Sequence, residues 1–171
     1  MAIAQTAPGL RPFLPADAPR LAALFRASVE LLADDFYDED QLAAWIASVG
    51  DEAAFAKRLG ESLTLVALVE GEIAGFASLK DNTQIDMLYV HPEFARRGVG
   101  SALVNALERL GAARSAQKLG VDASDAARDF FAAHGYISQS RNTVVLGGEW
   151  LGNTTMTKEL APQGAAQGRP Q

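Results

Sequence analysis

Apolar positions along this chain alternate between helical and strand spacing, and the switches between the two mark out its elements. After a short strand over Leu10 to Phe13, Asp17 precedes Leu21, Leu24, Phe25, Ser28, Leu31 and Leu32, which share one helical face. A second helix is predicted over Glu39 to Ser48. Asp51 is placed to cap a third, short one through about Leu59, which Gly60 would end. The pattern then turns to strands. Leu63 to Val69 is a continuous apolar run, Glu70-Gly71-Glu72 a turn, and Ile73 to Leu79 the returning strand of a mostly buried hairpin. Asp81-Asn82 turns again into a strand over Thr83 to Val90. Val99, Leu103, Ala106, Leu107 and Leu110 recur at helical spacing, and Lys118 to Asp122 follows as a short parallel strand after that crossover helix. Ser124 suits an N-cap, Asp125 a first turn and Gly135 the position after the last turn of a further helix, whose inner stripe is Ala127, Phe130, Phe131 and His134. Tyr136 to Leu146 reads as a long strand. Gly147-Gly148 and Gly152-Asn153 bracket Trp150, and Thr154 to Leu160 is the last strand. This order predicts an α/β domain with a mixed sheet.

The joint from Ile85 to Leu103 carries the most chemistry. A strand runs into Arg96-Arg97-Gly98-Val99-Gly100, which opens an amphipathic helix. Successive backbone N–H groups at a helix N-terminus, with glycines allowing close approach, favour an anion through unpaired donors and the helix dipole. The two arginines add permanent positive charge. The plain alternative is a strand-loop-helix joint whose glycines serve packing. Two other phosphate motifs fail: Ser101-Ala102 follows Gly100 where a Walker loop needs lysine, and a dinucleotide fingerprint needs a third glycine near Leu103 and a tighter turn than His91 to Ala95 provide.

Val90-His91-Pro92 followed by Ala95-Arg96-Arg97-Gly98-Val99-Gly100 resembles the signature of the GNAT superfamily of acyl-coenzyme A-dependent N-acyltransferases, in which Val-x-Pro ends a strand and Gln/Arg-x-x-Gly-x-Gly/Ala opens a helix. Ala95 departs from it by standing where Gln or Arg is usual. A second resemblance follows. The family's Asn-x-x-Ala-x-x-Phe-Tyr-x-x-x-Gly-Phe corresponds at the same spacing to Ser124, Ala127, Phe130, Phe131, Gly135 and Tyr136, with three changes at Ser124, Phe131 and Tyr136. The resemblance spans roughly Leu10 to Leu160. It implies a mixed, mostly antiparallel central sheet of about six to seven strands, with a splayed strand pair, flanked by helices.

Composition limits the picture further. With 171 residues and 49% hydrophobic content, the chain suits a single domain over residues 1–160. A tail over 161–171, rich in Pro, Gly and Gln, is expected to be disordered. No apolar run is long enough to span a bilayer and Met1 to Pro8 is a mild N-terminus, so no membrane is expected and a cytoplasmic location is. A charge of −6 and an isoelectric point near 4.9 argue against a nucleic-acid partner. Zero cysteines exclude disulfides, thiolate metal sites and a cysteinyl-acyl intermediate. The two histidines, His91 and His134, are too few for a zinc site or a Ser-His-Asp arrangement, so no metal is expected. The acidic run Asp34 to Asp40 reads either as a solvated turn between helices or as a lining that attracts a cationic amine.

The resemblance implies acetyl-coenzyme A as acyl donor and a small-molecule amine as acceptor. Leu88, Tyr89 and Val90 would serve the coenzyme through main chain. Arg96, Arg97, Gly98, Val99, Gly100 and Ser101 would form the phosphate cradle, and Ser124, Ala127, Phe130 and Phe131 the second contact segment. Phe131 stands where relatives often carry a tyrosine proposed to protonate the leaving thiolate, and phenylalanine cannot do so. Some members carry a glutamate base at the position matching Gln84, which is likewise unable to serve. Asp86, on the same strand face as Gln84, is therefore the candidate base for an ammonium of pKa about 10, the alternative being a structural carboxylate. Tyr37, Trp45, Tyr89 and Trp150 are aromatic candidates for an acceptor wall or for plain packing. A homodimer is compatible with the family, with the last strands and Trp150 as one surface for it. The departures at Gln84, Ala95 and Phe131 keep a second reading in view, a non-catalytic coenzyme-binding sensor or interaction domain.

Overall fold

The computed structural model describes residues 7–161, so the expected tail from 162 onward and the segment up to Thr6 lie outside the described residues. Seven strands form one sheet in the order β1-β2-β3-β4-β5-β7-β6. They are β1 (Gly9–Pro12), β2 (Leu63–Val69), β3 (Glu72–Lys80), β4 (Gln84–Val90), β5 (Lys118–Ser124), β6 (Ile137–Leu146) and β7 (Glu149–Glu159). Every neighbouring pair is antiparallel except β4 and β5, which are parallel and joined by the crossover helix α4 (Val99–Ala113).

Helices cover both faces. On one lie α1 (Ala18–Leu32), α2 (Glu39–Ala47) and α3 (Glu52–Glu61), and on the other α4 and the short α5 (Arg128–Ala133). Local chemistry sets where these helices begin. Asp38 accepts the Gln41 N–H at 2.8 Å while Gln41 accepts the Asp38 N–H at 2.9 Å, and Asp51 accepts the Ala54 N–H at 2.8 Å. Asp17, tied to Arg11 at 2.7 Å and to the Leu14 N–H at 2.8 Å, fixes the entry to α1. The α1–α3 face packs Leu21, Phe25, Phe55 and Leu59 on Val66, Phe76 and Met87 of the sheet. The α4 face packs Val99, Leu103 and Leu107 on Ala77, Ile85, Leu119 and Val121.

Ile85 and Met87 belong to opposite layers although they are two residues apart on one strand. The cause is a β-bulge. Ser78 pairs with Met87 and Leu79 with Ile85, leaving Asp86 as the extra residue. The bulge brings Asp86, Met87 and Tyr89 all to the α1–α3 side.

Four expectations change in detail. Gly60 lies inside α3, which ends at Glu61. β5 continues to Ser124, and α5 starts only at Arg128. Ser124 therefore caps the preceding turn, its hydroxyl accepting the Ala127 N–H at 3.2 Å, rather than the helix. β7 runs unbroken through Trp150, Gly152 and Asn153, because antiparallel pairing with β6 carries it across residues whose local signal reads as a turn.

At Gly75 on β3 the first turn of α4 lies directly against the sheet. A Cβ there would stand 2.9 Å from both the Tyr89 carbonyl oxygen and Val99 Cγ1, so only glycine lets the first turn of α4 press on the sheet. Gly75→Ala is expected to destabilise the fold by about 1–3 kcal/mol, read as a lowered midpoint in urea denaturation. An unchanged midpoint would show that this contact yields freely.

Candidate functional site

β4 and β5 pair only at Gln84 with Gly120 and at Ile85 with Val121. Beyond those rungs the strands part, and between them opens a cleft of about 470 Å³. A sheet edge buried without a partner strand leaves N–H and C=O groups unsatisfied, which makes Asp86 to Val90 a ready main-chain docking edge for an extended amide-bearing ligand. Leu88 and Val90 pack toward the α4 layer, while Tyr89 turns to the opposite one.

The end of the cleft at the start of α4 is built by backbone geometry. Arg96 (φ 62°) and Gly98 (φ 83°) are both left-handed, and they fold the loop so that it enters α4 with Gly98 as N-cap. The first N–H groups of α4 have no intrahelical acceptor and face this end of the cleft with the positive end of the helix dipole. Arg96, Gly98, Val99, Gly100 and Ser101 all line the cleft. Arg97 does not. Its guanidinium carbon sits 5.3 Å over the Phe94 ring, a cation–π contact that holds the loop. Of the two expected cationic ligands, the structure brings only Arg96 to the cleft.

Opposite this loop, Ser124, Ala127, Phe130 and Phe131 line the other bank of the cleft. The Phe130 ring lies against Gly100, where an added Cβ would come within 3.1 Å of it. Phe131 is core, 3% exposed. Sequence reasoning missed the fixed role of His134. Its Nδ1 lies 2.8 Å from the Phe130 carbonyl, which can only accept, so Nδ1 carries a hydrogen, and Nε2 lies 2.9 Å from the Ser101 hydroxyl as its hydrogen-bond partner. α5 thereby orients a hydroxyl in the first turn of α4. The two residues are 33 apart in sequence, and no local pattern announces the pair.

The α1–α3 side of the cleft is aromatic. Tyr37 donates to the Gly152 carbonyl at 2.7 Å and accepts the Asp125 N–H at 2.8 Å, tying the turn after α1 to β7 and to the end of β5. Trp45 Nε1–H donates to the Tyr89 oxygen at 3.3 Å. Burial pushes the Tyr89 phenol up to about 12, so it remains protonated across the neutral range. Trp150 is 68% exposed and outside this wall.

Asp86 lines the cleft as expected, and α3 grips it. Arg58 Nε and Nη2 donate to its two oxygens at 2.8 and 3.0 Å. The pair raises the Arg58 guanidinium further, the hydrogen bond to Asp86 outweighing its desolvation. Sequence gave no sign of this partner, 28 positions away on a helix. The acidic run, by contrast, resolves as a solvated turn and helix start. Asp34, Asp35, Asp38, Glu39 and Asp40 are exposed, and none lines the cleft.

Comparison with known proteins bears on this geometry. Residues 33–160 match the family described as acetyltransferase (GNAT) domain. The chain is 35% identical over 147 residues to the uncharacterized N-acetyltransferase YafP of Escherichia coli K12, covering 86% of this chain and 93% of that protein. A crystal structure from Rhodopseudomonas palustris, described as a GCN5-related N-acetyltransferase and also as a class-II aminotransferase, is 53% identical. It superposes with a TM-score of 0.90 over 94% of this chain and 100% of its own. A phosphinothricin acetyltransferase from Sinorhizobium meliloti, in complex with acetyl-coenzyme A, shares the fold at 24% identity and a TM-score of 0.70, covering 97% of this chain and 94% of its own.

The Arg58–Asp86 pair is half-buried and bidentate, so a double-mutant cycle with Arg58→Met and Asp86→Asn should return a coupling free energy of about 1 kcal/mol, measured by urea denaturation at neutral pH. Additive single effects would show that the pair does not hold α3 to the bulge.

Proposed function

The chain belongs to the GNAT acetyltransferase family, and from that premise we propose that it moves an acetyl group directly from acetyl-coenzyme A to the primary amine of a small, cationic acceptor. The observation that carries the donor half is the strand fork. An unpaired β4 edge, a helix N-terminus with two left-handed residues before it, and one uncommitted arginine follow one another along a single cleft. That sequence of groups fits an extended molecule with amides at one end and phosphates at the other. The phosphinothricin acetyltransferase that shares the fold holds acetyl-coenzyme A, which supports the same donor here.

Each part of the chain then has a separate task. Arg96 and the N–H groups opening α4 bind the phosphates, with Ser101 held in register by His134. The β4 edge pairs with the pantetheine amides and offers an N–H to the thioester oxygen, stabilising charge where it develops. The acceptor enters from the aromatic α1–α3 side, where Tyr37, Trp45 and Tyr89 wall the cleft. Its nitrogen attacks the carbonyl carbon, and the C–S bond breaks with its electron pair remaining on sulfur. Zero cysteines leave no thiol to carry the acetyl group in between. The acceptor side favours a cation because Asp122, which has no cationic partner among the described residues, lines the cleft.

Acetyl-coenzyme A and coenzyme A should each raise the melting temperature, by about 2.7 kcal/mol of stability at a hundred times Kd, with ATP giving much less, and primary amines should accelerate thiol release. Gly98→Val, forced to adopt a left-handed conformation, should lose most of that stabilisation. Equal stabilisation by ATP would point to another phosphate ligand. Stabilisation with no amine-dependent release would point to a coenzyme sensor instead.

A further inference from the structure

The register of the two parting strands sets a second carboxylate beside the expected one. Gln84 faces Gly120 and Ile85 faces Val121, so Asp86 and Asp122 are the first residue on each strand past the last shared rung. On β5, Leu119, Val121 and Ala123 point into the α4 layer. Strand alternation therefore turns Asp122 to the opposite, acceptor side, where Asp86 also lies. Both line the cleft.

Their partners differ. Both oxygens of Asp86 are engaged by Arg58, and a proton placed on either would break that ion pair. Asp122 is exposed and has no cationic partner within 4.0 Å among the described residues. Its Oδ1 accepts the Thr155 hydroxyl at 2.7 Å. Thr155 in turn accepts from Asn142 Nδ2 at 2.7 Å, and that same nitrogen donates to Asn153 Oδ1 at 3.0 Å. A relay of neutral groups across β6 and β7 thus fixes the carboxylate's orientation without neutralising it, and Oδ2 has no hydrogen-bond partner among the described residues.

We propose that Asp122 is a catalytic residue of the transfer reaction, binding the acceptor's ammonium at the strand fork and taking its first proton. The proposal rests on the transferase reading above. The ammonium gives one proton to Asp122, which returns it to solvent through its exposed side. The neutral amine forms the C–N bond as the C–S bond breaks. The second nitrogen-borne proton goes to the departing thiolate, so one ammonium and one thioester yield one amide, one thiol and one released proton. Asp86, locked by Arg58, holds the bulge and adds negative field beside the same nitrogen. Thr155 is the positioning residue for Asp122.

The test is thiol release from acetyl-coenzyme A with tyramine, spermidine and L-lysine as probes, between pH 6 and 9.5, for the wild type, Asp122→Asn, Asp122→Glu, Thr155→Val and Asp86→Asn. Melting temperature with acetyl-coenzyme A is recorded for each. Asp122→Asn is expected to lower kcat/KM for the amine about 100-fold or more, to leave KM for acetyl-coenzyme A within about twofold, and to follow the free-amine concentration across the whole pH range. Asp122→Glu should recover part of the loss, and Thr155→Val should fall between. Asp86→Asn should lower the rate without removing the wild type's pH plateau. An Asp122→Asn enzyme with wild-type rate and profile overturns the assignment, as does one that has lost stabilisation by acetyl-coenzyme A. A wild type that releases no thiol with any probe overturns the transferase reading, and this assignment with it.

Discussion

Two strands that begin as neighbours and then stop pairing are the constraint on which the rest of the structure depends. A parallel rung between β4 and β5 is available at only two positions. Past them, the main chain of β4 lies inside the molecule with one edge bare. Unpaired backbone groups in such a place are costly to leave dry, and the fold supports the separation with several independent features. α4 crosses from one strand to the other and packs against both. Gly75 allows its first turn close to the sheet, and Tyr37 ties the turn after α1 to Gly152 and Asp125 at the far wall. The cleft is thus held open by packing on each bank.

The β-bulge at Asp86 divides labour between the two faces of β4. Before it, Ile85 belongs to the α4 layer. After it, Met87 and Tyr89 belong to the α1–α3 layer while Leu88 and Val90 return to the other. One strand therefore presents main chain to the cleft, carboxylate and phenol to the α1–α3 side, and aliphatic side chains to the α4 layer. Charge is distributed the same way. In a chain of net charge −6, Arg96 stands at the α4 end of the cleft, and at the fork Asp122 has no cationic partner among the described residues, so opposite ends of one cleft favour opposite ligand charges.

The sequence was most legible where a local pattern and a chemical requirement coincide. The run from Ile85 to Leu103 showed strand, loop and helix in the order found, because Gly98 and Gly100 stand where a left-handed turn and a close aromatic contact need them. The hairpin over β2 and β3 was equally plain from its unbroken apolar runs. What stayed hidden was set by contacts distant in sequence. The bulge at Asp86 depends on β3 register, the grip of Arg58 on how α3 packs, and the Ser101–His134 bond on α5 meeting α4. The glycines that bracket Trp150 do not announce that pairing with β6 carries β7 through Trp150 and Gly152, because strand pairing overrides local preference there. Arg97 reads as a second cradle cation, and charge alone does not reveal that it stacks on Phe94.

The central claim is that the bare edge of β4 is the donor-binding element, and hydrogen exchange at individual amides addresses it most directly. On addition of acetyl-coenzyme A, the amides of Asp86 to Val90 and those of Gly98 to Ser101 should slow together, while the β6–β7 hairpin keeps its exchange rates. Slowing confined to the α4 terminus, with the β4 edge exchanging as before, would contradict the account and reduce the fork to a packing defect beside an anion site.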